Sequence, residues 1–375
     1  MTPKRGNNEG SISQRADGRY VARLTVDGKR VSYYGRTRDE VRAKLTTALA
    51  DVQRGTFVAP SQQSVAEFLA SWLQDVAQPN VRPRTALRYE QFVRIQIAPH
   101  IGSVRLTKLT PQHLVRLYRT LSTDLSPRSV NHVHRCLHSA LETAVRWGIV
   151  ARNVCDLVDP PRVPRVEMRS LSLEQSRALL LAAQGDPLEA LYSLALTTGM
   201  RQGELLGLKW QDVDLASGRV QVRRTLARVT GKGWVESEPK SAAGTRTVRL
   251  VSPVVSALQR HRSAQLEGRL RAGSEWDDRD LVFCNLFGRP IEITNLTTRS
   301  FRPLLERAGL PQIRFHDLRH SAASLLLLLD SHPRIVQEVL GHSSVNLTLG
   351  TYSHVQRGLH DDALDKLGDA LFDVQ

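Results

Sequence analysis

The segment Asp159-Pro-Pro-Arg-Val-Pro-Arg165 constrains the fold of this chain of 375 residues more than any other. Proline has no N–H to donate and its ring collides with the preceding turn, so a helix cannot run through such a segment. The helical periodicity before it and the mixed pattern after it therefore belong to different bodies. A chain of this length supports two or three cores. Residues 56–63 (Thr-Phe-Val-Ala-Pro-Ser-Gln-Gln) read as a second linker. The expected organisation is 1–57, 58–160 and 165–375, a multidomain fold that is mainly α with small β-sheets.

Within 1–57, Tyr20–Val26 and Lys29–Tyr34 are β-rich runs joined by Asp27-Gly28, a two-residue hairpin signal. Thr37 with Glu40 fits a capping box for a helix running to about Gly55. Residues 58–160 read as all-helical. Thr110-Pro111 and Ser126-Pro127 each place a capping side chain before a proline at the first helical position, and the second pair starts a long helix ending near Gly148. After Ser170 the pattern is mixed α+β. Ser172 and Gln175 cap a helix, Arg219–Leu226, Gly233–Glu238 and Thr245–Leu250 read as three strands, a turn falls at Ser241–Gly244, and Ser252-Pro253 begins a further helix.

Composition narrows the partner. Fifty-two basic residues against thirty-seven acidic give a formal net charge of +15 and a pI near 10.3. Such an excess points to a polyanion, either nucleic acid or an anionic membrane surface. Residues 1–57 hold twelve basic against six acidic side chains and 58–160 hold twelve against seven, so most of the excess precedes the proline segment. The basic hairpin has the shape of a ribbon that enters a DNA major groove, with Arg19, Arg23, Lys29 and Arg30 as its contacts. A module for protein contacts is the other reading. Arg82, Arg84, Arg88 and Arg94 gather around one helix start and are read as phosphate contacts, against plain solvation. The longest strongly apolar stretch, Leu325–Leu329, is far too short for a bilayer, and no membrane partner is expected. No signal peptide is read at the start. Cys136, Cys155 and Cys284 suggest neither a disulfide framework nor a zinc ribbon, so a reducing cytoplasm is the expected setting.

The chemistry-bearing positions come as an ordered series. In Thr198-Gly-Met-Arg-Gln-Gly-Glu-Leu, Arg201 and Glu204 stand one turn apart near a helix start, where backbone N–H groups favour an anion and a carboxylate can steady an arginine fork. Standing alone, the pair would be an ordinary surface ion pair. His316-Asp-Leu-Arg319 repeats the spacing at the start of an apolar helix. His316 and His320 also have the spacing of a helical zinc pair, but no glutamate follows His316 to complete a metalloprotease motif, and no metal is expected. His132, His134 and His138 form a similar decoy on a solvated or DNA-facing surface. Leu340-Gly341-His342 ends a helix with Gly341 as its cap. Tyr352, in Thr351-Tyr-Ser-His354, would otherwise be a half-buried aromatic, and Lys240, after Pro239, a solvated hairpin tip.

Taken in order, Thr-Gly-Met-Arg-Gln-Gly-Glu-Leu, His-Asp-Leu-Arg-His, Leu-Gly-His-Ser-Ser and Thr-Tyr-Ser-His over about residues 170–360 resemble the tyrosine recombinases, and within them the phage integrases. The match at Lys240 rests on Pro-Lys-Ser before the strand Arg246–Leu250. The resemblance implies catalytic residues Arg201, Lys240, His316, Arg319, His342 and Tyr352, supported by Glu204. It implies three parts: an arm-type DNA-binding domain (sheet plus helix), a helical core-type DNA-binding domain, and a mixed α+β catalytic domain. Its partners would be double-stranded attachment sites, bound by a homotetramer on two duplexes, with a DNA-bending or directionality protein as a possible accessory. Two departures from the family pattern are Gly350, in a helix-forming stretch, and Asp330-Ser331-His332 in place of a glycine turn. Residues 358–372 read as an amphipathic helix bearing Leu359, Ala363, Leu364, Leu367 and Leu371, docking on a neighbouring catalytic domain or on its own.

These residue types suit phosphodiester exchange without metal, cofactor or ATP. Arginine forks stay protonated and can hold charge building on the phosphate oxygens. A free tyrosine has a pKa near 10 and needs nearby positive charge or a base to attack. A covalent 3′-phosphotyrosyl link would conserve the ester's energy for resealing, in keeping with the lack of a P-loop sequence. Clustered carboxylates suited to two-metal nuclease chemistry are not evident. The alternatives are a Xer-like resolvase, a type IB topoisomerase, a catalytically inactive DNA-binding regulator and, weakest, a metal nuclease.

Overall fold

A computed structural model describes residues 10–26, 28–54, 57, 62–164, 169–231, 233–239, 244–329 and 331–341. The chain divides into two compact units at residues 165/166, within the proline-rich boundary. Among the described residues the fold is mainly α with small sheets.

The first unit contains two separate hydrophobic clusters. Three antiparallel strands, Ser11–Gln14, Tyr20–Val26 and Lys29–Gly35, lie in chain order. The register pairs Val26 with Lys29, the tight hairpin that the sequence signalled, and Gly28 sits at φ 75 in the left-handed region that such turns require. Strand alternation turns Ala22 and Leu24 toward the helix Arg38–Gln53, where they meet Val41, Leu45 and Ala48. Thr37 caps this helix as expected, accepting from the Glu40 N–H at 3.2 Å. The Glu40 carboxylate, however, reaches back to the Arg36 N–H at 2.9 Å instead of closing a box with Thr37.

The second cluster is helical. Ser64 and Glu67 form a full capping box at the start of Val65–Trp72, and Pro111–Leu121 and Pro127–Arg146 begin at the prolines anticipated from sequence. Phe68, Leu69, Trp72, Phe92, Leu117, Val133, Leu137 and Leu141 are among its buried residues. Helical chain passes through wide π turns at Leu73–Ala77, Phe92–Ile97 and, in the second unit, Leu296–Phe301. A proline follows each within two residues of its end: Pro79, Pro99 and Pro303. The missing N–H and the bulk of the ring disrupt the regular ladder there, and a wider turn lets the helix continue.

In the second unit, helices Leu173–Ala182, Glu189–Thr198, Ser252–Ala272 and Arg302–Arg307 enclose a core around Leu179, Leu191, Tyr192, Leu258, Phe283, Phe301 and Phe315. The expected single strand Arg219–Leu226 is a misreading. Arg219–Val222 joins a sheet with Val213–Asp214 and Arg246–Arg249, whereas Thr225–Val229 pairs with Gly233–Ser237 in a separate hairpin. The break falls at Arg223-Arg224. Arg224 forms an ion pair with Asp212, whose side chain is almost wholly buried, and that attachment accompanies the chain's switch between sheets. Helix Pro333–Leu340 packs Val336 and Leu340 against Ala323 and Leu327 of helix Asp317–Leu328.

Candidate active site

Gly199 begins the site. It ends helix Glu189–Thr198 at φ 59, a left-handed conformation that favours glycine, and a Cβ there would lie 2.3 Å from Leu340 Cδ2, so that side chain would have to shift. The chain then turns sharply, and Arg201 becomes the residue preceding helix Gln202–Leu206. Its backbone N–H donates to Glu204 Oε2 at 3.0 Å and its Nη1 to Glu204 Oε1 at 2.7 Å. The remaining edge of the fork donates from Nη2 to the Gly341 carbonyl at 3.2 Å. The Arg201 side chain keeps 40% of its surface open to solvent while that of Glu204 keeps 2%.

Arg319 approaches the same turn from helix Asp317–Leu328. Its Nη1 donates to the Gly199 carbonyl at 2.6 Å, two residues before Arg201. Arg319 thus reaches the turn that carries Arg201. Unlike Arg201, Arg319 is buried. The start of its helix is braced: Asp317 accepts from the Arg314 N–H at 2.7 Å and from Arg314 Nη2 at 2.7 Å, and Ser321 Oγ joins the Asp317 carbonyl to the Leu171 N–H.

His316 stands at the N-terminus of this helix, with solvent at one side of its ring and the ring of His320 edge-on at 5.3 Å. Desolvation by the protein on its other side lowers its pKa, and the positive charges of Arg319 and Arg201 lower it further. His320 is pushed to about 4, by burial first and then by His316. Both rings are thus neutral at pH 7, and His316 can accept a proton. Burial alone would push the Glu204 carboxyl up, but Arg246 and the Arg201 hydrogen bonds outweigh it and hold the group below its ordinary range. It is the fixed anion of the site.

Lys240, His342 and Tyr352 lie outside the described residues, as do the 358–372 segment and Gly350. Described residues flank two of them, Lys240 and His342. Gly341 caps helix Pro333–Leu340 at φ 67, as anticipated, and accepts from Arg201. His332 replaces the glycine turn by accepting from the Arg334 N–H at 3.3 Å. A Cβ on Gly244 would lie 2.4 Å from Pro239 Cβ, so the ends flanking Lys240–Ala243 are in contact. Gly203 and Gly207 bring helix Gln202–Leu206 against the hairpin Thr225–Ser237 that leads to Pro239. A Cβ at Gly203 would lie 2.4 Å from Thr225 Oγ1, and one at Gly207 3.0 Å from the Leu226 nitrogen.

The model of the phage integrase family matches residues 169–358, and that of the phage integrase N-terminal SAM-like domain matches 64–122. A relative described as a tyrosine recombinase XerC-like protein, from Caldanaerobacter subterraneus subsp. tengcongensis, is 30% identical over 94% of this chain and 97% of its own length. The chain belongs to the phage integrase family of tyrosine recombinases. Enzymes of this family break and rejoin DNA. Among solved structures, the Tn1549 transposon integrase in complex with circular intermediate DNA is 23% identical, covering 80% of this chain and all of that one, at a TM-score of 0.65. A lambda integrase tetramer bound to a Holliday junction is 18% identical, covering 93% and 96%, at a TM-score of 0.54. These likenesses establish the integrase fold.

The DNA contacts expected of this recombinase fall on two surfaces. Register pairs Arg23 with Ser32 and Arg30 with Thr25, on the sheet face opposite the Arg38–Gln53 helix, and Tyr34 lies exposed on that face. Arg19 is exposed beside Asp17; the side chain of Lys29 is outside the described residues. Arg82 and Arg84 are exposed at the start of helix Pro83–Gln91, whereas Arg88 is exposed in its last turn, stacked 4.5 Å from the centre of the Phe92 ring. The histidine decoy needs correction. His134 is half-buried and bonded to the Tyr118 hydroxyl at 2.7 Å, and His138 to Asp156 at 2.9 Å. His134 and His138 thus hold the Pro127–Arg146 helix to its neighbours, whereas His132 is exposed as expected. His138, Glu142 and Asp156 do bring three possible ligand atoms within 4.8 Å of one another, but His138 is already engaged with Asp156, and Glu142 accepts from Asn153.

Sequence reasoning missed Arg246. Its Nη2 donates to Glu204 Oε2 at 3.1 Å, its Nε to the Val339 carbonyl at 2.7 Å and its Nη1 to the Gly244 carbonyl at 3.1 Å. The available signal was strand parity: Arg246 shares its face with the buried Val248 and Leu250.

Proposed function

We propose that this recombinase is an integrase that cuts and reseals attachment-site DNA through a 3′-phosphotyrosyl intermediate, with Tyr352 as the nucleophile. Arg201 and Arg319 supply positive charge and donors to the scissile phosphate. Neutral His316 accepts a proton or a hydrogen bond, His342 donates to a phosphate oxygen, and Lys240 protonates the departing 5′ oxygen. The observation that carries this reading is the bond of Arg319 to the Gly199 carbonyl, in the turn that carries Arg201, with His316 within the field of both arginines. Loss of one such donor commonly slows a reaction by about 10²–10³. No step requires a metal or ATP.

Residues 58–160 would grip the core site, the basic sheet face of 1–57 would bind a second, arm-type sequence, and strand exchange would use four copies on two duplexes, as in the lambda integrase tetramer on its junction. An accessory DNA-bending or directionality protein would act on that assembly. The resolvase reading keeps one specific support: the XerC-like relative aligns over 94% of the chain, so the N-terminal sheet does not by itself separate the two. Recombination between two unlike attachment sites favours the integrase; recombination only between identical sites favours the resolvase.

The test is a nicked duplex that traps the covalent product. With EDTA present, the native protein should form a protein–DNA adduct and Tyr352→Phe should form none. An adduct that persists in the variant would mean another nucleophile and end the proposal.

A further inference from the structure

The buried Glu204 carboxylate stands between two guanidiniums with different surroundings. The Arg201 side chain is 40% exposed, whereas that of Arg246 is 7% exposed. The hydrogen bonds form a circuit. Arg201 and Arg246 each bind one or both oxygens of Glu204, Arg246 holds the Val339 carbonyl, and Arg201 holds the Gly341 carbonyl two residues later. An isolated Arg201–Glu204 pair would be neutral overall and would offer a phosphate little charge. The third member restores a net positive charge to the group.

We propose that Arg246 is a positioning residue for strand cleavage: it neutralises Glu204 from the buried side and so leaves the charge of Arg201 available to the scissile phosphate. The inference rests on the phosphate-binding role given to Arg201 above. A second consequence follows from the same bonds. The Arg246 fork ties the Val339–Gly341 helix end, which immediately precedes His342, to the turn that carries Arg201.

The test compares the full-length protein and its variants on two nicked substrates, one with an ordinary scissile phosphodiester and one with a methylphosphonate there. The methylphosphonate lacks the negative charge, so cleavage of it depends far less on Arg201. Arg246→Met should bind core-site DNA as the native protein does, cleave the phosphodiester about 10²-fold more slowly at saturating DNA, and cleave the methylphosphonate within about threefold of the native rate. Arg246→Lys keeps a cation opposite Glu204 but cannot reach both carbonyls, and should fall between the two on the phosphodiester. If Arg246→Met does not accumulate as folded protein, Arg246→Lys carries the comparison, with a loss on the phosphodiester and near-parity on the methylphosphonate. Equal losses on both substrates would mean a general structural role, and native rates on both would mean none; either overturns the inference. Arg201→Ala is the control that separates the two proposals. If it too cleaves the phosphodiester at the native rate, the site assignment itself has failed.

Discussion

A carboxylate with 2% of its side-chain surface exposed stays ionised at Glu204 because guanidinium groups approach it from two sides. Removing that anion leaves Arg246 buried and uncompensated, which is costlier than losing a surface pair. Glu204→Gln should therefore lower unfolding stability by about 3 kcal/mol, measured by urea denaturation, and a change no larger than that of an exposed ion pair would contradict the buried network. The two arginines proposed to bind the scissile phosphate should also separate by experiment. Arg201→Ala removes a partly open guanidinium whose carboxylate partner keeps Arg246, and should cost less stability than Arg319→Ala, which strips a buried donor from the Gly199 carbonyl and should cost about 1–3 kcal/mol as well as cleavage. Equal melting temperatures for the two variants would refute the distinction. The histidines set the pH response. His316 has its pKa lowered from 6.5, so its proton-accepting form persists through neutrality and is lost only as pH falls through that lowered value. His320, at about 4 in the fold, binds its proton more readily in the unfolded chain, so the stability it contributes is complete above about 6.5 and declines as pH drops toward 4. Single-turnover cleavage should thus hold from neutral pH down to below 6.5, and an acid midpoint above 6.5, with the protein still folded, would exclude His316 as the acceptor.

Local signals were legible where one residue type has one strong physical use. Asp27-Gly28, Ser126-Pro127, Ser172 with Gln175, and Gly341 each mark a turn or helix end, and the described elements begin and stop there. The site was legible as an order of motifs, but the contacts that assemble it were not. Whether Arg319 meets the Gly199 carbonyl depends on how two helices 120 residues apart in sequence pack, and no local pattern encodes that. The strand reading failed at Arg223-Arg224 because the run Arg219–Leu226 has β character throughout, and only a non-local partner, Asp212, marks where it changes sheets. Gly203 was read only as part of a motif, and Gly207 lies just beyond it. Their spacing of four residues places two bare patches of helix under the hairpin Thr225–Ser237. Gly203→Ala would drive a Cβ into Thr225 Oγ1 and the Leu226 carbonyl, at 2.4 and 2.9 Å, and the hairpin must yield. Its expected signature is slower cleavage at saturating DNA with unchanged affinity. Full activity would mean that the placement of the hairpin does not govern the chemistry.

Across the whole molecule, the formal charge of +15 is spread unevenly, and the part bearing the arginine network is not the part with the greatest excess. Binding and chemistry should therefore separate in their response to salt. Exposed arginines on the Pro83–Gln91 helix and its leading residue, Arg82, Arg84 and Arg88, would each release a counterion on meeting a phosphate. For each phosphate left without its arginine, the slope of log affinity against log salt should become shallower by about 0.9. Replacing all three with alanine should weaken core-site binding steeply at low salt and much less at high salt, lowering the slope by about two to three if each arginine meets a phosphate. Single-turnover cleavage, once DNA is saturating, should remain near the native rate, because none of the three belongs to the Arg201–Glu204–Arg246 network. Arg201→Ala should show the converse, a small change in slope with a large fall in rate. If the triple variant lost cleavage at saturation while its salt slope stayed native, the helical block would be contributing to catalysis and not to phosphate grip, and the assignment of core-site binding to this surface would fall.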